Sequence, residues 1–146
     1  MNIDRLNSKI LKCLQENARQ SNAEIGRQVG ITSPAVSERI KKMEDLGVIE
    51  GYKTIVSPFE IGYQLRAIIT LRAFMGKLKP FLEKVKTYDE VINCYRITGD
   101  ENIVMEVVLK NQKHLENFID QLIVYGESKT QIALSHVVKQ KAVKSL

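Results

Sequence analysis

Leu6, Ile10, Leu11 and Leu14 recur at spacings of three and four, with Lys9, Lys12, Gln15 and Glu16 on the outer positions. This pattern predicts an amphipathic helix over about residues 5–17, which Asp4 can cap. Ser21-Asn22-Ala23-Glu24 has the spacing of a capping box, with the serine oxygen accepting an amide hydrogen and the glutamate reaching back to the cap, and it opens a second helix. That helix is short. Gly30 can adopt the left-handed conformation that releases the last carbonyls, with Ile31 placed to close the apolar contact. Thr32-Ser33-Pro34 follows at once, with Ser33 as cap and Pro34 at the first helical position, where a missing amide costs nothing.

The third helix puts Val36, Ile40, Met43 and Gly47 on one stripe, given a rotation of about 100° per residue, and Gly47-Val48 repeats the glycine-plus-apolar stop. Pro34, Ser37, Glu38, Lys41, Lys42 and Asp45 fall on the outer arc. Two helices joined by a short glycine-containing turn, the second with an exposed polar face, form a helix-turn-helix whose second helix can enter the major groove of DNA. Lys41 and Lys42 serve equally well as a solvated face of an ordinary surface helix. Arg39 flanks the core stripe, so a salt bridge to Asp45 or Glu50 competes with a phosphate contact.

Beyond Ser57-Pro58 the period changes. Residues 65–74 are rich in β-branched and apolar residues and predict a strand. Phe81, Leu82 and Val85 follow Lys79-Pro80 at helical spacing, predicting a helix over about 78–87. Two strands, 91–98 and 103–109, flank the turn Gly99-Asp100-Glu101-Asn102. Leu115, Phe118, Ile119 and Leu122 mark another helix, which Gly126 is expected to stop. Alternation over 129–139 predicts a last strand that contains His136. The order β-α-β-β-α-β predicts a four-stranded antiparallel sheet of ferredoxin-like arrangement with both helices on one face. Ile68 and Phe74 oppose Ala67, Ile69 and Leu71, so the open face is expected to pack on another subunit as a homodimer. The fold class is α+β, a winged-helix-like helix-turn-helix domain over 1–52, a connecting segment over 53–64, and a ferredoxin-like domain with an oligomerising face over 65–146.

Composition changes this picture little. The formal charge of +5 suits a polyanionic partner, but it divides into +2 over residues 1–56 and +3 over the remainder, so a DNA footprint must come from placement. No apolar run reaches the roughly 20 residues of a membrane helix. Asp4 and Arg5 stand where a signal peptide would be apolar, so a cytoplasmic protein with no membrane partner is expected. Cys13 and Cys94 lie inside apolar patterns without metal-ligand spacing, and read as buried reduced thiols. Motifs for phosphate cradles, zinc, metal clusters or nucleophile elbows do not occur, so no enzyme, no catalytic residue, no metal and no cofactor are expected.

The run SNAEIGRQVGITSPAVSERIKKMEDLGVIEGY, from Ser21 to Tyr52, closely resembles the helix-turn-helix of the Lrp/AsnC family, the feast/famine regulators. The resemblance implies that the third helix reads double-stranded DNA, with contacts at Ser33, Ser37, Lys41 and Lys42 and, less directly, Arg39, and that the segment after it forms a linker strand and hinge over 53–64 leading to an effector-binding and oligomerisation domain over 65–146. Ile97-Thr98-Gly99-Asp100-Glu101-Asn102-Ile103 is similar to the strand, Gly-Asp turn and strand of the family's effector domain. That likeness implies an amino-acid effector near Gly99, Asp100, Asn102, Thr130, Ala133 and Leu134, and homodimers assembling into tetramers or octamers. Asn102 departs from the aspartate that many members carry there, which removes one negative charge from the ammonium contact and argues against leucine as effector.

The function expected is a sequence-specific DNA-binding transcription regulator whose assembly or DNA affinity responds to a small amino acid. Two alternatives are an effector-independent architectural DNA protein and a haem-pathway decarboxylase of the same two-part fold, for which His114 and His136 show no convergent acid or base. Gly99-Asp100 alone reads as a tight hairpin turn. Lys139, Lys141 and Lys144 give the C-terminus a basic tail, read as solvated rather than touching DNA.

Overall fold

The computed structural model describes residues 3–145. Two compact units arise from one chain: residues up to Ile55 together with those from Val138 onward, and Val56–Val137. Each has its own apolar core.

The first unit contains α1 (Arg5–Glu16), α2 (Asn22–Val29) and α3 (Ser33–Asp45). Asp4 caps α1 by accepting the Asn7 N–H at 2.7 Å, and Ser21 and Glu24 form both bonds of the capping box on α2. Gly30 takes φ +80°, a left-handed geometry a β-carbon disfavours, and the Ile31 N–H donates to Gly26 O at 3.0 Å. At α3 the cap is Thr32, not Ser33 as expected: Thr32 holds the extended backbone (φ −73°, ψ 154°) and its Oγ1 accepts from Ala35 N, while Ser33 is already helical. Ile10, Ile25, Val36 and Met43 are fully buried and form the centre of the core, with Ile40 packed at its edge. Removing a buried Ile or Met side chain of this kind costs about 2–5 kcal/mol.

The segment 53–64, expected as a linker strand and hinge, holds no strand among the described residues, because no strand of this chain runs alongside to pair its backbone groups. Residues 58–62 turn instead, with the Tyr63 N–H donating to Pro58 O at 3.0 Å.

The second unit contains β1 (Leu65–Ala73), α4 (Leu78–Lys84) continued by a 3-10 turn (Val85–Thr87), β2 (Val91–Arg96), β3 (Ile103–Leu109), α5 (Gln112–Leu122) and β4 (Gly126–Ile132). The sheet order is β2-β3-β1-β4, antiparallel throughout, as the βαββαβ reading requires. Ala67, Ile69 and Leu71 of β1 and Ile103, Met105, Val107 and Leu109 of β3 are fully buried against Phe81, Val85, Phe118 and Leu122 from the helices. Tyr88 meets Phe118 edge-on at 5.2 Å between ring centroids, the geometry ring quadrupoles favour.

Several boundaries differ from the sequence reading, among them the end of β2, which stops at Arg96 rather than Thr98. Gly126 does not stop α5, which ends at Leu122; it opens β4, where a β-carbon would meet Arg72 O at 2.2 Å, so the close approach to β1 requires glycine. β4 then ends at Ile132 rather than near 139, because its register runs from Gly126 opposite Ala73 to Ile132 opposite Ala67 and β1 itself begins at Leu65. His136 therefore lies outside the strand, and Phe74 lies past the end of β1, with its N–H donating to Tyr125 O.

The open face is also less apolar than expected. Ile68, Val104 and Val108 share it with Arg66 and Glu106, whose ion pair is 3.4 Å long. Asn93 donates to Glu106 at 2.9 Å and Arg66 also contacts His136. Both cysteines are free thiols, Cys13 buried and Cys94 half-buried, and burial pushes the Cys94 thiol up.

Candidate nucleic-acid interface and effector site

On α3 the buried stripe fixes which side chains face outward. Ser37, Lys41 and Lys42 are exposed and Ser33 is half-buried, so these four share the arc turned away from the core. Ser33, Ser37 and Lys41 follow one another at i, i+4 spacing along a ridge, with Pro34, Glu38 and Lys42 beside it. Hydroxyls and ammonium groups so placed can donate to phosphate oxygens and base edges, whereas Glu38 repels a phosphate and favours a base-edge donor such as a cytosine amine.

Arg39 points elsewhere. Its Nη1 donates to Asp4 Oδ2 at 2.7 Å and to Asn7 Oδ1 at 2.9 Å, rather than pairing with Asp45 or Glu50. Asp4 thus caps α1 with one oxygen and holds α3 with the other. The Asn7 backbone N–H, then the Arg39 guanidinium, hold its carboxyl below the usual carboxylate range. Asn7, one of the few buried polar residues, carries no sequence signal that would have marked it as Arg39's partner. Tyr52 closes the far end of the unit: its hydroxyl donates to Glu44 Oε1 at 2.8 Å, and burial together with that carboxylate pushes its pKa up to about 12.

The C-terminal segment also belongs to this unit, which sequence reasoning missed. Gln15 of α1 donates from Nε2 to Val143 O at 3.0 Å and accepts the Val143 N–H at Oε1 at 2.8 Å, so one side-chain amide pairs with the tail as a neighbouring strand would. Ser8, two turns earlier on α1, makes a hydroxyl contact with Ser145. Lys139, Lys141 and Lys144 stay exposed on this docked segment.

In the second unit the turn between β2 and β3 has Gly99 at φ +114°, a conformation that strains any other residue. Asn102 is tied down. Its Oδ1 accepts the Ala73 N–H at 2.7 Å, its own N–H donates to Leu71 O, and its carbonyl accepts the Ile97 N–H. The side-chain oxygen that an aspartate would offer is thus already used to lock the turn to the end of β1. Beside the turn lies a cavity of about 120 Å³ lined by Arg72, Asp100, Glu101, Glu127 and Lys129. Arg72 pairs with Glu127 at 2.6 Å and Lys129 with Glu101 at 2.7 Å. The Lys129 ammonium holds the Glu101 carboxyl below its ordinary value, and the Glu127 carboxylate raises Arg72.

The sheet brings only some of the expected effector residues together. Asp100 lines this cavity, with Gly99 and Asn102 in the same turn, whereas Thr130 faces the helical side of the sheet opposite Ile69. Ala133 lies one residue past β4, its N–H donating to Arg66 O, and Leu134 is 97% exposed. Arg72, Glu101, Glu127 and Lys129 were missed, because only the β1–β4 register brings Arg72, Glu127 and Lys129 side by side next to the turn.

A three-helix helix-turn-helix unit presenting a polar helix face, joined to a ferredoxin-like sheet, defines a DNA-binding transcription regulator with a ligand-binding module. Residues 3–50 match the winged helix-turn-helix DNA-binding model and residues 66–143 the Lrp/AsnC ligand binding domain. The chain belongs to the Lrp/AsnC family. It is 35% identical over 121 residues to the HTH-type transcriptional regulator Ptr1 of Methanocaldococcus jannaschii, spanning 83% of this chain and 82% of that one. The structure of Escherichia coli AsnC superposes with a TM-score of 0.86 at 28% identity, covering 95% of this chain and 97% of that one. A transcriptional regulator of Neisseria meningitidis, solved as its L-methionine complex, shares the fold with a TM-score of 0.91 at 22% identity, covering 97% and 96%.

Proposed function

We propose that the protein, a DNA-binding transcription regulator with a ligand-binding domain, responds to an amino acid and binds operator DNA in the cytoplasm as a two-fold homodimer, without a catalytic role. Ser33, Ser37, Lys41 and Lys42 of α3 make the contacts, and Arg39 supports them by holding α3 on α1. Two α3 helices related by a two-fold axis would reach half-sites one turn of DNA apart, roughly 34 Å.

The observation that carries this reading is the division of α3 into a fully buried stripe, Val36 and Met43, and an exposed arc that includes Ser37, Lys41 and Lys42. The dimer is supported by the open sheet face, where Ile68, Val104 and Tyr95 stand uncovered by helices, and assembly into tetramers or octamers would follow from further contacts of the same unit. The effector is an amino acid held at the turn containing Gly99, Asp100 and Asn102, with Thr130, Ala133 and Leu134 as further candidates from a neighbouring strand. The methionine carried by the Neisseria relative supports an amino acid as the ligand class. The family assignment leaves a haem-pathway decarboxylase without support.

The test is fluorescence anisotropy of labelled DNA from upstream of the protein's own gene, at fixed salt with unlabelled competitor, with and without each amino acid. Specific binding shifted by one amino acid is the expected result. Specific binding that none shifts would leave an effector-independent regulator, and absence of specific binding would defeat the reading.

A further inference from the structure

The cavity beside the Gly99 turn differs from an apolar ligand pocket in one respect that selects its occupant. All five lining side chains are charged, and no apolar side chain lines it. An apolar amino acid bound there would desolvate these groups and return no contact to its own side chain. Two of the three carboxylates already have cations: Glu127 has Arg72 and Glu101 has Lys129. Asp100, at the tip of the turn, has no ion-pair partner among the described residues. The lining therefore carries two positive and three negative charges. A ligand of net charge +1 is its electrostatic complement, and one of net charge −1 is repelled.

We infer that the effector is a basic amino acid, lysine or arginine, recognised by Arg72, Asp100, Glu101, Glu127 and Lys129. This rests on the reading of the turn as the effector site. The α-carboxylate of such a ligand takes a hydrogen bond from Arg72 or Lys129, while its ammonium and its basic side chain donate to Asp100 and to a carboxylate released from its ion pair. The exchange is favourable because the Arg72–Glu127 pair is weak in isolation. Arg72 and Glu127 are each about 60% exposed, and exposed ion pairs contribute little. A ligand bridging both pairs and Asp100 adds a charge-assisted hydrogen bond that neither pair makes in its absence.

The test is isothermal titration calorimetry of the full chain with L-lysine, L-arginine, L-glutamate, L-leucine, L-methionine and the diamine cadaverine. Lysine or arginine is expected to bind at least about tenfold more tightly than the others, and Asp100→Asn and Glu127→Gln, checked for folding by circular dichroism, are each expected to weaken that binding about tenfold. Preference for leucine or methionine would overturn the inference and leave the amino-acid-responsive regulator standing. Cadaverine binding as tightly as lysine would also overturn it, because the carboxylate would then go unread. Binding of no amino acid would remove the effector reading and this inference together. The ligand series on the unmodified protein decides the matter even if a variant fails to fold.

Discussion

Arg39 on α3 and Asp4 at the cap of α1 form an ion pair of 2.7 Å across 35 residues of sequence. The same guanidinium nitrogen bonds the buried Asn7 side chain, so the DNA-facing helix is fixed to the first helix by a polar clasp at the rim of the apolar core. Arg39→Ala should therefore lower the melting temperature of the N-terminal unit, because it leaves the buried Asn7 oxygen without its donor. Since Asp4 is depressed below its ordinary value of 3.8, its contribution to stability is present above that value and is lost as pH falls through the lower folded value. Thermal melts of the unmodified protein and Asp4→Asn should differ near neutrality and converge in strong acid. A difference that persists at the lowest pH would mean the stabilisation does not come from the carboxylate.

Lys42 is exposed on the outer arc of α3, and its side chain has no hydrogen-bond or ion-pair partner among the described residues. Lys42→Ala should weaken DNA binding uniformly across sequences and lower the slope of log affinity against log salt by about one unit. Arg39→Ala, acting through stability, should leave that slope unaltered where the protein is folded. Anisotropy titrations at several salt concentrations separate the two, and an unaltered slope for Lys42→Ala would remove this residue from the footprint.

Asn102 serves the turn before it serves any ligand. Asn102→Ala leaves the half-buried Ala73 N–H without its acceptor and should cost about 1–3 kcal/mol in urea denaturation. Asn102→Asp keeps the acceptor oxygen and should hold most of the stability. If both variants unfold at the same urea concentration as the unmodified protein, the bond does not hold the turn.

Gln15 should govern how the C-terminal segment is held, because its amide makes both backbone bonds to Val143. Gln15→Ala is expected to expose Lys139, Lys141 and Lys144 to faster tryptic cleavage, with the helices of the unit still folded by circular dichroism. Cleavage at an unchanged rate would show that the tail is held by something other than this pair.

Local signals within a few residues of each other were legible in the chain. The caps at Asp4 and Ser21, the left-handed stops at Gly30 and Gly47, the stripe of Val36, Ile40 and Met43, and the strand at 103–109 all appear where the pattern put them, since capping and periodicity depend on neighbours three or four positions away. The order of elements sufficed for the sheet topology, because a βαββαβ order with short connections admits few arrangements. Tertiary structure alone decided the partner of Arg39, the docking of the tail on Gln15, the length of β4 and the cluster of Arg72, Glu127 and Lys129 beside Asp100. Each of these joins residues far apart in sequence. Which of several suitable acids meets an arginine, or which strand residues pair, depends on register and on the burial of both cores, and neither is set by the residues alongside.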